Sequence, residues 1–265
     1  AAKVGGIFAN LTQPTEFILE NIKIQTNIIE NSWKFGVKKL IFLGSSCIYP
    51  KEADQPIKEE YLLSGPLEKT NISYAIAKIT GIQLCNSLRE QYGFNAMSLM
   101  PTNLYGPGDN FDDKNSHVMA GLIQRFYRAK ALSLDNVICW GSGLPMREFL
   151  YIDDLSEAVI FALEQWDPSS KDAPKDKNGD PLLHLNVGTG EDISIRDLAE
   201  KISNIVGFKG NIIWDKDKPD GTRKKLLDVS NINKFGWHYQ TSLEDGIRKT
   251  IKETDLAKFI NIKNF

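Results

Sequence analysis

Residues 39–46 read Lys39-Leu40-Ile41-Phe42-Leu43-Gly44-Ser45-Ser46, a short apolar run that ends in a glycine and two serines. Such a run predicts a strand buried on both faces of a parallel sheet. Upstream, apolar residues at helical spacings predict a helix over residues 15–35. Downstream, a second helix is predicted over residues 73–92 and a second strand over residues 96–100. Helices and strands therefore alternate along the first hundred residues.

This alternation predicts an α/β fold, a Rossmann-like doubly wound parallel sheet. Ser45, Ser46 and Cys47 follow the carboxyl end of the first predicted strand, and Thr102 and Asn103 follow that of the second. Ligands of open α/β sheets bind at this edge. The polar residues there are therefore candidate site residues.

The rest of the chain is less regular, with polar segments over residues 50–70 and 167–181 that predict loops. An N-cap is expected at Asp153, just before a predicted helix. The other predicted helices and strands cover residues 117–129, 136–140, 148–152, 154–165, 184–187, 195–206 and 211–214, followed by a C-terminal helix.

Composition excludes several classes of protein. The formal charge of −2 and the pI near 6.0 over 265 residues give no basic footprint for nucleic acid. No apolar run approaches the roughly 20 residues that a membrane span needs, so no membrane partner is expected. The three cysteines have no zinc-type spacing, which predicts no metal site and favours a reducing, cytoplasmic compartment.

Tyr74-Ala75-Ile76-Ala77-Lys78 places a phenol and an ammonium one helical turn apart on one face. A nearby cation favours phenolate, so Lys78 is expected to lower the pKa of Tyr74. Tyr74 would then exchange a proton with a carbonyl or an alcohol. An ordinary exposed pair is the alternative, but Ser45, 29 residues upstream, could hold the reacting oxygen beside the phenol.

Several longer motifs make a specific resemblance. The chain resembles the extended short-chain dehydrogenase/reductase family, and within it the GDP-L-fucose synthases, from Ala1 to about residue 250. The motifs that carry it are Gly44-Ser45-Ser46-Cys47-Ile48-Tyr49-Pro50, Tyr74 to Lys78, Pro101-Thr102-Asn103-Leu104-Tyr105-Gly106-Pro107, Asp109-Asn110-Phe111, Ser116-His117-Val118, Trp140-Gly141-Ser142-Gly143, Pro145-Met146-Arg147-Glu148-Phe149 and Lys218-Pro219-Asp220-Gly221-Thr222.

The resemblance implies an enzyme that epimerises GDP-4-keto-6-deoxy-D-mannose at C3 and C5 and then reduces C4 with NADPH. The resemblance implies that Cys47 is the base and His117 the acid of the epimerisation. A thiol and an imidazole, with ordinary pKa values of about 8.5 and 6.5, suit this exchange of protons. In the reduction, Tyr74 would supply the proton and Ser45 would hold the keto oxygen. Lys78 would contact the nicotinamide ribose.

The same resemblance implies the binding residues and the partners. The GDP-sugar would meet Asn103, Arg125, Trp140, Arg147 and Lys225, and NADP(H) would meet Lys78, Pro101, Asn103, Leu104 and His117. The arginines suit phosphate, because a guanidinium offers forked donors. A homodimer that pairs the Tyr74–Lys78 helix and its neighbours is also implied.

The resemblance divides the chain into two domains. Residues 1–103 and 149–190 would form the NADP-binding Rossmann-like domain, and residues 104–148 and 191–265 a smaller α+β substrate-binding domain. The first domain is expected to be incomplete at its N-terminus, with its first strands missing, because no G-x-x-G-x-x-G motif occurs near the start. Weak NADPH binding and an exposed apolar sheet edge are expected consequences.

Two other interpretations stay open. The chain could be another sugar-nucleotide epimerase or reductase of the superfamily, although Cys47 and His117 argue against a simple 4-epimerase. It could also be a catalytically silent nucleotide-sugar-binding protein. The retained set of Ser45, Cys47, Tyr74, Lys78 and His117 weighs against that third possibility.

Overall fold

The computed structural model describes residues 2–112, 116–218 and 220–260, so Ala1 and Pro219 of the motifs above lie outside the described residues. Its helices are α1 (Ile7–Thr12), α2 (Pro14–Lys34), α3 (Ile72–Tyr92), α4 (Val118–Ala131), α5 (Ile152–Gln165), α6 (Ile195–Val206), α7 (Ser230–Phe235) and α8 (Leu243–Glu253). Its strands are β1 (Leu40–Leu43), β2 (Ala96–Pro101), β3 (Asn103–Tyr105), β4 (Asn136–Trp140), β5 (Met146–Tyr151), β6 (His184–Val187), β7 (Asp192–Ser194), β8 (Asn211–Asp215) and β9 (Lys224–Lys225).

The central sheet of the described chain is parallel, in the order β1-β2-β6. Helices connect its strands, so the predicted Rossmann-like α/β class is confirmed. Every residue of β2 is buried, as expected for a central strand. β1 is different: its residues are only partly buried, and Leu43 is 38% exposed. The prediction that this strand is buried on both faces was wrong: β1 lies at an edge of the described sheet, and the described elements cover it only in part.

Two smaller sheets lie beyond the central one. β5 pairs with β3, β7 and β9, and β4 pairs with β8 in parallel. The pairing of β5 with β9 brings the basic segment at Lys224–Lys225 alongside Met146 and Arg147. The domain boundaries at residues 103, 148 and 190 stay a prediction.

Two large apolar cores follow this arrangement. The first lies around β2, β6 and α5 and includes Leu99 and Trp166, and the second lies between α4 and α6 and includes Phe126 and Ile202. Residues from the C-terminal part of the chain, such as Leu227, pack into the first core. The segment that follows β9 is thereby held against the central sheet.

The predicted start of α5 needs a correction. The N-cap is Tyr151, not Asp153, which lies inside the first helical turn. β5 runs over Met146–Tyr151, and α5 begins at the next residue, Ile152, so no loop separates the strand from the helix. An acidic side chain in a first turn still interacts favourably with the helix dipole.

No helix in the described ranges is long and apolar enough to cross a membrane. The described residues also contain no group of three or more metal-ligating side chains.

Candidate functional site

Ser45 lies two residues after the end of β1 and is the N-cap of a short 3₁₀ helix over Ser46–Ile48. Its Oγ accepts a hydrogen bond from the backbone N–H of Cys47 at 3.3 Å. The Ser45 hydroxyl also lies close enough to the Tyr74 hydroxyl to lower the pKa of that phenol. One serine therefore fixes the backbone of the thiol residue and contacts the phenol.

The first two turns of α3 carry Tyr74 and Lys78. The Lys78 ammonium donates to the Leu43 carbonyl at 2.8 Å and lies 5.8 Å from the centre of the Tyr74 ring. Lys78 is only 6% exposed, and burial lowers its pKa to about 8. As predicted from their spacing, the phenol and the ammonium share one face of the helix.

The expectation that the pKa of Tyr74 is lowered was wrong. Burial raises the pKa of Tyr74, and the negative charge available to Cys47 raises it further, whereas the nearby Ser45 hydroxyl lowers it by less. Lys78 is not among the groups that shift this pKa; its ammonium lies over the ring and donates to the Leu43 carbonyl. Tyr74 is therefore protonated at neutral pH, which is the form that can donate a proton to a substrate oxygen.

Cationic side chains surround the Cys47 thiol. The Lys225 Nζ lies 3.8 Å from the Cys47 Sγ, and Arg147 interacts electrostatically with the same thiol. Arg147 and Lys225 are paired residues on β5 and β9. The sequence assigned both cations to the substrate, but their contacts with Cys47 could not be read from it, because 178 residues separate Lys225 from Cys47.

Arg147 is held by backbone oxygens. Its Nη1 donates to the carbonyls of Met146 at 2.7 Å and Thr222 at 2.6 Å. Asp220 interacts electrostatically with Arg147 and also accepts from the N–H and hydroxyl of Ser142, at 2.9 and 2.7 Å. The loop after β8 is thus clamped to the turn that follows β4.

Glu148 is a residue that sequence reasoning missed. It is fully buried, and its carboxylate accepts from the backbone N–H groups of Gly190 at 2.8 Å and Leu227 at 2.9 Å. Burial raises its pKa, partly offset by these hydrogen bonds. In the sequence Glu148 is only a neighbour of the candidate residue Arg147, and that pattern does not indicate the two segments that its carboxylate anchors.

A second missed group lies behind the Cys47 turn. The Tyr49 hydroxyl donates to Asn186 Oδ1 at 2.7 Å, and the Asn186 backbone N–H donates to Glu59 Oε1 at 3.0 Å. Asn231 donates to the other Glu59 oxygen at 2.9 Å. Glu59 lies in a segment predicted only as a polar loop, so no periodic signal could have identified it.

His117 lies apart from the thiol. It immediately precedes α4, its side chain is 46% exposed, and its Nδ1 lies 3.9 Å from a carboxylate oxygen of Asp109. The hydrogen bonds and ion pairs of the described residues do not link it to Cys47. Its assignment as an acid and as a cofactor contact stays a prediction.

Arg125 and Trp140 form a separate group with Lys218. The Arg125 guanidinium carbon lies 5.0 Å from the centre of the Trp140 ring, and the Lys218 Nζ lies 5.7 Å from it. Trp140 is 50% exposed. An exposed indole flanked by two cations suits a planar base joined to a diphosphate.

One end of the Asn103 side chain takes part in the folded structure. Its amide nitrogen donates to the backbone carbonyl of Glu148 at 2.8 Å, which holds β3 to β5. Its side-chain oxygen is the atom left for a ligand. Pro101 ends β2 and Leu104 lies in β3, both near the predicted binding edge, and their cofactor contacts stay predictions.

The residues present fit the nicotinamide end of a dinucleotide. Lys78 is a buried ammonium that forms no salt bridge with any described carboxylate, and an ammonium has three N–H donors of which one is bonded to Leu43. Donors left over in a buried place suit neutral hydroxyl oxygens such as those of a ribose. Tyr74, one turn away, can then meet the substrate beside the nicotinamide.

Comparisons with known proteins agree with this geometry. Residues 1–178 match the model of the NAD dependent epimerase/dehydratase family. The probable GDP-L-fucose synthase 1 of Oryza sativa subsp. japonica is 52% identical over 253 residues, covering 95% of this chain and 73% of that enzyme. The GDP-L-fucose synthase of Escherichia coli (strain K12) is 51% identical over 250 residues, covering 94% and 77%.

A solved structure is also similar. The GDP-mannoheptose C4 reductase of Campylobacter jejuni, with NADP bound, has a TM-score of 0.84 and 38% sequence identity, covering 96% of this chain and 79% of that one. The chain belongs to the NAD dependent epimerase/dehydratase family, in the branch that contains the GDP-L-fucose synthases.

Proposed function

We propose that the chain acts in GDP-L-fucose synthesis, epimerising GDP-4-keto-6-deoxy-D-mannose at C3 and C5 and reducing the product at C4 with NADPH. The observation that carries the proposal is the position of Cys47. Its thiol lies beside the Ser45–Tyr74 pair and in contact with Lys225. A simple C4 reductase needs the serine and the tyrosine but has no use for a thiol base.

In the epimerisation, the Cys47 thiolate removes a proton from a carbon next to the C4 ketone. The electron pair of the broken C–H bond moves into the enolate, whose oxygen Ser45 can stabilise by a hydrogen bond. An acid on the opposite face returns a proton to the carbon and inverts it. His117 is the proposed acid, and the exposure of its side chain leaves it accessible to a substrate.

In the reduction, NADPH supplies a hydride to C4 when it is bound. Tyr74 donates its proton to the C4 oxygen, and its raised pKa keeps that proton in place until negative charge develops on the substrate. Ser45 orients the same oxygen. Lys78 contacts the ribose, and the NADP in the related reductase supports this cofactor.

Arg125, Trp140 and Arg147 bind the GDP part in this proposal. Trp140 offers an exposed indole face, and Arg125 beside it can reach a phosphate. Asn103 contributes its side-chain oxygen, which accepts no hydrogen bond from the residues that the structure describes. Lys225 also faces the sugar, since its ammonium is at the thiol that meets the reacting carbons.

The proposal extends to assembly and compartment. Apolar side chains remain exposed on α2 and α3, among them Leu19, Ile28 and Ile76, which supports a homodimer built on these helices. The free cysteines suit a reducing compartment such as the cytoplasm. Light scattering coupled to size exclusion tests the dimer, and a monomeric mass at micromolar concentration would contradict it.

The reaction product tests the proposed activity. Because weak NADPH binding is expected, NADPH is supplied at a high concentration. We expect the chain, given GDP-4-keto-6-deoxy-D-mannose and this NADPH, to form GDP-L-fucose and to oxidise NADPH in proportion. A product reduced at C4 but unchanged at C3 and C5 would favour a plain GDP-sugar reductase. Binding of the GDP-sugar without turnover would favour the silent binding protein.

A further inference from the structure

The contact between Lys225 and Cys47 joins two distant parts of the chain. The Lys225 Nζ lies 3.8 Å from the Cys47 Sγ, within the range of a hydrogen bond to sulfur. No described carboxylate forms a salt bridge with Lys225. Its neighbour Lys224 differs, because its ammonium lies 3.1 Å from Asp192. The thiol is therefore the partner that the fold provides for the Lys225 cation.

We propose that Lys225 takes part in the epimerisation as the cation that holds Cys47 in its thiolate form. The inference rests on the proposed function, in which Cys47 is a base, and it gives Lys225 a role beyond contact with the nucleotide. A cation within about 4 Å favours a thiolate over a thiol, and reactive cysteines sit in such electropositive places.

The other charged groups around the thiol agree with this role. Arg147 faces it from β5, opposite Lys225, but its Nη1 is bonded to the Met146 and Thr222 carbonyls and its charge is shared with Asp220. Tyr74 faces it from α3 and stays protonated, so it adds no negative charge. Lys225 is the described cation whose ammonium is directed to the sulfur.

The fold fixes Lys225 in this position. β9 pairs with β5, and two residues later the Leu227 N–H is bonded to the buried Glu148 carboxylate at 2.9 Å. During the reaction the thiolate takes the proton from the substrate carbon and becomes a thiol, while the C–H electron pair passes to the enolate. Lys225 keeps its proton throughout.

Alkylation of the full chain with iodoacetamide tests the inference without substrate or cofactor. Cys85 and Cys139 are buried, and the Cys47→Ser variant measures their background reaction. Lys225→Met removes the charge and Lys225→Arg keeps it. Lys224→Met is the matched control, since it removes a charge from the adjacent position.

We expect Lys225→Met to move the pH midpoint of Cys47 alkylation upward by about one unit, which makes alkylation roughly tenfold slower below that midpoint. Lys225→Arg and Lys224→Met should stay near the wild type. A Lys225→Met midpoint equal to that of the wild type would overturn the inference, whatever the effect on turnover. If circular dichroism shows that Lys225→Met is unfolded, Lys225→Gln replaces it. Inactivity of the wild type would refute the proposed function alone, because this assay needs no turnover.

Discussion

At the scale of single residues, burial is the main cause of the shifted pKa values of Tyr74 and Lys78. Tyr74 keeps its proton because desolvation raises its pKa, and Lys78 has a lowered pKa for the same reason. The sequence predicted which residues meet, since Ser45 follows a strand and Tyr74 begins a helix. It predicted the wrong direction for Tyr74, because burial and the exact position of an ammonium are properties of the packed structure.

The lowered pKa of Lys78 predicts a stability change with pH. The folded chain has a Lys78 pKa of about 8, whereas the ordinary value is 10.5, so the folded state binds fewer protons between these values. The contribution of Lys78 to the free energy of unfolding should therefore increase as pH rises from about 8 to 10.5 and be constant below. Denaturant unfolding of wild type and Lys78→Met across this range measures it. A difference between the two proteins that does not change with pH would contradict the assignment, and the exposed Lys23→Met is the control.

At the scale of elements, close packing places α3 over the sheet. Gly81 lies one turn after Lys78, and a Cβ there would meet Phe42 ring atoms at 2.5 and 2.8 Å and the Gln25 side chain at 3.0 Å. The centre of the Phe42 ring in turn lies 5.0 Å from the Lys78 Nζ. Periodicity predicted α3 to within a residue, but it could not indicate this close approach. Nor could it predict the exposure of β1, which depends on what lies beside that strand.

Gly81→Ala should destabilise the chain by about 1–3 kcal/mol through overpacking, although alanine is favoured over glycine in a helix by about 1 kcal/mol. Ser87→Ala on the exposed face of α3 is the matched control and should change stability by no more than about 0.5 kcal/mol. Urea unfolding midpoints compare the two variants. If Gly81→Ala were as stable as Ser87→Ala, the close approach of α3 to Phe42 would be wrong.

At the scale of the whole molecule, buried carboxylates connect parts that are distant in sequence. Glu148 on β5 holds the loop after β6 through Gly190 and the segment after β9 through Leu227. Glu59 similarly joins the Tyr49 side of the site to α7 through Asn186 and Asn231. These links were not predictable, because a glutamate in a motif or a polar loop gives no sign of its long-range partners.

Glu148→Gln should lower the free energy of unfolding by about 1–3 kcal/mol, because an amide NH₂ would face a backbone N–H in a buried place. The exposed Glu164→Gln is the control and should be neutral. Thermal unfolding of the two variants tests this, and equal melting temperatures would show that Glu148 is not the anchor of the segment carrying Lys225.

The central claim is that one site uses Cys47 for epimerisation and Tyr74 for protonation during reduction. Deuterium uptake from D₂O at C3 and C5 of GDP-4-keto-6-deoxy-D-mannose, measured without NADPH, separates the two steps most directly. Cys47→Ser should lose uptake by roughly 100-fold or more, whereas Tyr74→Phe should keep most of it and yet form no C4-reduced product when NADPH is added. Uptake by Cys47→Ser at the wild-type rate would contradict the claim.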